Sequence, residues 1–164
     1  MKNINRQKVQ SLLRMAEISK PPIDVNRIAE ELGFTVVPYP FPEKRKGMIH
    51  IEGGDKVIGV NENHPKNMQR FTIAHEIGHY LCGHQHYENT FIDDEKRYFD
   101  PHFHQEKEAD IFAAELLMPK EWLTEDVEQY GLDTPKLAEI YEVSEQAMWI
   151  RLTSSGLAKK HSAR

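Results

Sequence analysis

The chain has 164 residues, a formal net charge of -5, 29% charged residues and one cysteine, Cys82. That length suits one domain with at most a small appendage, long enough to bury a core without disulfide staples. The negative balance excludes a general polyanion binder, a lone cysteine excludes an intrachain disulfide, and no apolar run near the N-terminus exceeds Leu12-Leu13, so a cytoplasmic protein with no signal peptide or membrane span is expected.

Residues 4–18 place Ile4, Val9, Leu12, Leu13, Ala16 and Ile18 at helical spacing, which predicts an amphipathic first helix stopped by Pro21 and Pro22. Asp24 is suited to cap a short helix, VNRIAEEL, which Gly33 ends. FTVVP reads as a strand ended by Pro38, and PYPFPEKRKG, with three prolines, as a loop. Apolar alternation on both sides of Gly53-Gly54-Asp55 predicts a β-hairpin. A helix follows, starting at Asn63 to Pro65 and ending at Gly83. Residues 84–104 show no clear period and are expected to form a long loop. From Gln105 a helix runs through EKEADIFAAELLM and stops before Pro119; two or three more helices and a polar tail, KKHSAR, come after it. Helices, three strands, then helices argue for an α+β fold with a small antiparallel or mixed sheet. Residues 1–120 are expected to form the core and 121–164 a C-terminal helical subdomain with the tail.

The stretch FTIAHEIGHYLC, residues 71–82, sets two histidines and a glutamate on an otherwise apolar helix. His75 and His79 are four residues apart, so they share one face about 6 Å apart along the axis. Two imidazoles so spaced can both reach one zinc ion at about 2.0–2.1 Å. Glu76, about 100° round the helix from His75, can address a water without taking a coordination position, as a general base does. The competing explanation is a pair of hydrogen-bonded core histidines. The longer pattern H-E-x-x-H-x-x-G-x-x-H fails, because Cys82 and Gln85 stand where it needs Gly and His. Cys82 lies about 10.5 Å along the axis from His75, too far for both to wrap one ion, and reads as a small core residue.

A third ligand is expected downstream, where Glu106 and Asp110 share a face, read as inward, that continues through Ala113 and Leu117. Glu106 can complete the metal site while Asp110 accepts the free N–H of a ligand histidine. Glu108, pointing about 160° away, is the rival and is expected to face solvent. His102 and His104 are outside candidates as ligands and, with Tyr98, as donors to an oxyanion.

The segment DTPKLAEIYEVSEQAMWIRLTSSGL has the outline of a helix-turn-helix, with Ser144 capping its second helix. Over residues 133–155 it carries two cations, Lys136 and Arg151, against four carboxylates, Asp133, Glu139, Glu142 and Glu145. That balance disfavours DNA binding and favours helix packing or docking of a partner protein.

RFTIAHEIGH followed by EKEADIFAAELLMP resembles the ImmA/IrrE family of bacterial zinc-dependent metallopeptidases, over about residues 23–157. The resemblance implies His75, His79 and Glu106 as zinc ligands, Glu76 as the catalytic acid/base, and Asp110 where the family has Asp or Asn. It implies a zincin-like, minimal thermolysin-like core: a small sheet on two active-site helices. Zinc is the implied cofactor, with manganese as the alternative. The implied partner is a protein substrate, a helix-turn-helix repressor of a mobile element or stress regulon. Two other readings stay open: a non-catalytic, metal-containing protein that sequesters a regulator, and a direct DNA-binding regulator.

Overall fold

A computed structural model describes residues 2–84 and 101–162. The elements in chain order are α1 (Lys2–Met15), α2 (Val25–Glu31), β1 (Thr35–Tyr39), β2 (Gly47–Glu52), β3 (Asp55–Asn61), α3 (Lys66–Cys82), α4 (Pro101–Leu117), α5 (Lys120–Tyr130), α6 (Thr134–Tyr141), α7 (Glu145–Ser154) and α8 (Leu157–Ser162). The architecture is α+β, with a three-stranded sheet in the order β1-β3-β2. The sheet is mixed: β3 pairs parallel with β1, from Thr35 opposite Val57 to Tyr39 opposite Asn61, and antiparallel with β2, from Gly47 opposite Val60 to Glu52 opposite Asp55.

Local chemistry accounts for several boundaries. Asp24 accepts the backbone N–H of Arg27 at 3.0 Å, Asp133 that of Lys136 at 3.1 Å, and the Ser144 hydroxyl that of Ala147 at 3.1 Å, capping α2, α6 and α7. Gly53 and Gly54, with φ of 58° and 96°, make the two-residue hairpin turn that needs positive φ at both positions. Pro38 does not end β1, which runs on to Tyr39; an edge strand is where a sheet tolerates a proline.

Two expectations along the chain are corrected. The helix after the proposed loop begins at Pro101 rather than Gln105, since proline is pre-set for a first helical turn, and His102 and His104 therefore lie on α4. The rest of that loop, residues 85–100, lies outside the described residues. Beyond Pro119 come four helices, the last of which takes in Lys159–Ser162 of the expected polar tail. Buried Leu157 and Ala158 anchor it to the core.

One apolar cluster joins the layers: Leu12 and Leu13 of α1, Ile58 and Val60 of β3, Ile73 and Ile77 of α3, Phe112 and Leu116 of α4, and Leu137, Met148 and Leu152 of α6 and α7. Helix α3 lies directly on β2: a Cβ at Gly47 would stand 2.5 Å from Cγ2 of Thr72. Arg70 of α3 donates to the carbonyls of Glu142 and Tyr141 at 3.2 and 3.4 Å, closing the C-terminal end of α6. Arg151 of α7 donates from Nε to the carbonyl of Met118 at 3.0 Å and pairs with the Glu115 carboxylate. Among the described residues no helix is long and apolar enough to cross a membrane.

Candidate metal centre

Helices α3 and α4 pack face to face, with Ala109 seated on Gly78. Because α3 turns once between His75 and His79, both imidazoles emerge on the side facing α4. Their Nε2 atoms are 2.9 Å apart. Glu106 reaches across from α4, with Oε2 3.2 Å from Nε2 of His75 and Oε1 3.1 Å from Nε2 of His79. A tetrahedral ion with bonds of about 2.0–2.1 Å holds its ligand atoms about 3.3–3.4 Å apart, and each of these separations, the two to Glu106 being to different oxygens of its carboxylate, is close to that. The donor set, two imidazoles and a carboxylate, also fits.

Asp110 lies one turn along α4 from Glu106, and its Oδ1 is 2.8 Å from Nδ1 of His75. Both nitrogens of His75 thus have carboxylate neighbours. Burial disfavours its imidazolium, but the hydrogen bonds to Asp110 and Glu106 outweigh that, and among protein groups alone the His75 pKa rises to about 9. For Glu106 burial again works against the charge, yet the bonds from His75 and His79 hold its carboxyl well below the usual carboxylate range.

Glu76 is buried next to the two histidines. Burial pushes its carboxyl up, and the charges on His75 and His79 only partly offset this. Arg45 also acts on Glu76. It belongs to the proline-rich loop, which buried Asn61 holds in place by donating from Nδ2 to the carbonyls of Phe41, Pro42 and Arg45 at 3.2, 3.3 and 2.8 Å. The sequence shows no sign of this role for Arg45, because a charge cluster after a run of prolines has no period that would place it.

The expected orientation of the α4 carboxylates is corrected. Glu106 and Asp110, read as inward, have side chains 48% and 57% exposed, whereas Glu108, read as solvent-facing, is 34% exposed. The contact line of α4 runs through Ala109, with Glu106 and Asp110 on one flank, open to solvent, and Glu108 on the other. There it meets His84. Gly83, at φ 71°, ends α3 in a left-handed turn in which its N–H bonds the carbonyl of Tyr80 and the His84 N–H bonds that of His79. This reversal brings Nδ1 of His84 within 2.9 Å of Nδ1 of His79, and Nε2 of His84 within 3.0 Å of Oε2 of Glu108.

Two groups of potential metal ligands therefore exist among the described residues: His75, His79 and Glu106, and Cys82, His84 and Glu108. His102 and His104 join neither, and Tyr98 lies outside the described residues. Burial, then the Glu108 charge, raises the Cys82 thiol pKa, so the thiol stays protonated at neutral pH.

An α+β domain that converges two imidazoles and a carboxylate from neighbouring helices has a donor set that fits a catalytic metal site. The chain belongs to the IrrE N-terminal-like domain family, Peptidase M78, whose model matches residues 29–153. A solved structure described as a Mycobacterium tuberculosis transcriptional regulator is similar over 92% of this chain and 46% of its own, with a TM-score of 0.68 and 16% identity. This chain thus spans less than half the length of that protein, and the likeness is one of fold. No curated protein matches the chain.

Proposed function

We propose that this chain is a zinc-dependent endopeptidase in which His75, His79 and Glu106 hold the metal and Glu76 is the catalytic acid/base. The observation that carries this reading is the convergence of the two imidazole Nε2 atoms, 2.9 Å apart, on the Glu106 carboxylate, whose Oε2 and Oε1 lie 3.2 and 3.1 Å from them, with a buried glutamate beside the group. Two histidines and a glutamate leave one tetrahedral position for water, as in catalytic rather than closed structural sites. The donor types suit zinc and also admit manganese, so metal supply decides between them.

A zinc ion bound there would acidify a water and polarise the peptide carbonyl. Glu76 moves the proton: its carboxylate takes it from the attacking water and delivers it to the leaving amine. The raised Glu76 pKa brings the carboxyl nearer to neutrality, where one group can serve first as base and then as acid. Asp110 accepts the Nδ1 proton of His75 and fixes that ring.

The sheet with α3 and α4 is read as a zincin-like core, and α5–α8 as a C-terminal helical subdomain. Strand β2, at one edge of the sheet, offers an extended substrate a row of backbone groups. Family membership supports a protein substrate, and the substrate proposed is a helix-turn-helix repressor of a mobile element or stress regulon. Direct DNA binding is disfavoured further, because one of the two cations on the α6–α7 segment, Arg151, is buried against Glu115. Helix α7 instead exposes Trp149 and Ile150, a surface suited to protein contact.

Metal analysis of chain purified without chelator or histidine tag tests the reading, together with Glu76→Gln. About one zinc per chain is expected, with the variant keeping its metal and losing at least about 100-fold in cleavage. Wild-type cleavage by Glu76→Gln would remove that role. A chain that takes up neither zinc nor manganese would remove the protease reading and favour sequestration of a regulator.

A further inference from the structure

Cys82, His84 and Glu108 are all metal-ligand types, and their ligand atoms lie within 4.8 Å of one another. None of them has a role in the chemistry above. Where the protons must sit decides what this second group does.

On the reading that Nε2 of His79 turns its lone pair to a metal, the one proton of its neutral ring is on Nδ1. That nitrogen faces Nδ1 of His84 at 2.9 Å, so His79 donates and His84 accepts. A neutral His84 then carries its own proton on Nε2, 3.0 Å from Oε2 of Glu108, and donates it there. The His84 side chain is only 6% exposed, which leaves little room for water to substitute for either partner. A metal on Nε2 of His84 would need that lone pair and would move the proton to Nδ1. Two N–H groups would then confront each other across 2.9 Å. With neutral rings, the two groups cannot both hold a metal through these Nε2 atoms.

We propose that His84 and Glu108 are positioning residues for the metal centre and not part of a second metal site. They fix His79 in its Nδ1–H tautomer through a two-bond relay, as Asp110 fixes His75 through one bond. The proposal rests on the reading of His75, His79 and Glu106 as metal ligands. Gly83 is built into it, because only the left-handed turn brings His84 back over His79.

The test is zinc stoichiometry and affinity, by chelator competition, on the full chain and its variants. Glu108→Ala and His84→Ala should each bind about one zinc with affinity lowered about 10–100-fold. Glu108→Gln, whose amide oxygen still accepts a hydrogen bond, should stay close to wild type, as should Cys82→Ala. In zinc-loaded wild type with 15N-labelled histidine, His84 should show a protonated Nε2 and a bare Nδ1. Unchanged affinity in Glu108→Ala, a His84 protonated on Nδ1, or two zinc ions per wild-type chain falling to one in Cys82→Ala would each overturn the relay alone. A wild-type chain that binds no zinc would overturn the metal centre, and the relay with it.

Discussion

Gly78 and Ala109 meet so closely that a Cβ on Gly78 would stand 3.0 Å from the carbonyl oxygen of Ala109 and 3.2 Å from its Cα. These are backbone atoms of α4 and cannot swing aside, so α3 and α4 must separate if the side chain grows. Gly78→Ala gains about 1 kcal/mol in helix propensity but meets overpacking of about 1–3 kcal/mol, and strain is expected to win. Melting should fall by a few degrees, and zinc affinity should fall too, because the proposed ligands come from both helices. A variant at least as stable as wild type, with unaltered metal binding, would contradict this view of the interface.

The pKa of His75, about 9 against an ordinary 6.5, gives two opposite pH trends. In chelator-treated protein the charged ring between Asp110 and Glu106 stabilises the fold fully below about pH 6.5, and this contribution is lost as pH rises through about 9. Zinc needs the same Nε2 lone pair and must expel the proton. Apparent zinc affinity should therefore climb with pH across that window, about tenfold per unit at its lower end, with about one proton released per ion. Calorimetry in buffers of different protonation enthalpy measures that release. Affinity flat between these limits would count against it.

Arg151 and Glu115 form a buried pair that ties α7 to α4. Arg151→Ala leaves a carboxylate only 13% exposed, together with the Met118 carbonyl, and should cost about 3–5 kcal/mol in urea denaturation. Replacing both partners by leucine should cost less than the single change, since no buried charge is then stranded. A double variant weaker than the single one would mean that the pair stabilises beyond its desolvation.

Asn61 is fully buried and donates to three carbonyls of the loop that carries Arg45. Asn61→Ala leaves those acceptors unpaired, at about 1–3 kcal/mol, and frees the loop. Limited trypsin digestion should then cut faster at residues 44–46, while zinc content stays unchanged. Unaltered digestion would show that the prolines and the remaining bonds, among them the residue 61 N–H to the Lys46 carbonyl and His64 Nε2 to the Glu43 carbonyl, suffice to hold the loop.

Helix caps and the hairpin were legible because each depends on a few adjacent residues: Asp24, Ser144 and Gly53-Gly54 act within three or four positions of the chain. The four-residue spacing of His75 and His79 likewise allowed a shared helix face to be foreseen. The orientation of α4 was not legible. Helical periodicity groups Glu106 with Asp110, but which flank turns to solvent depends on where Gly78 receives Ala109, a contact 31 residues away in sequence. The role of His84 is hidden for a related reason. A search for zinc patterns asks for histidines in helical register, and His84 reaches His79 through a left-handed glycine that breaks register. The continuation of the last helix into KKHS was hidden by its polarity, although buried Leu157 and Ala158 anchor its start.

Glu106 stands half in solvent while both histidines are fixed on a packed helix. The three would-be ligands are therefore mechanically unequal: two behave as a rigid clamp and the third as a hinged latch. Side-chain rotation at the surface takes nanoseconds or less, whereas separating packed helices takes far longer. On the proposed reading, metal exchange would proceed by swinging one glutamate aside, with the fold intact, so that capture and release would be surface events decoupled from unfolding.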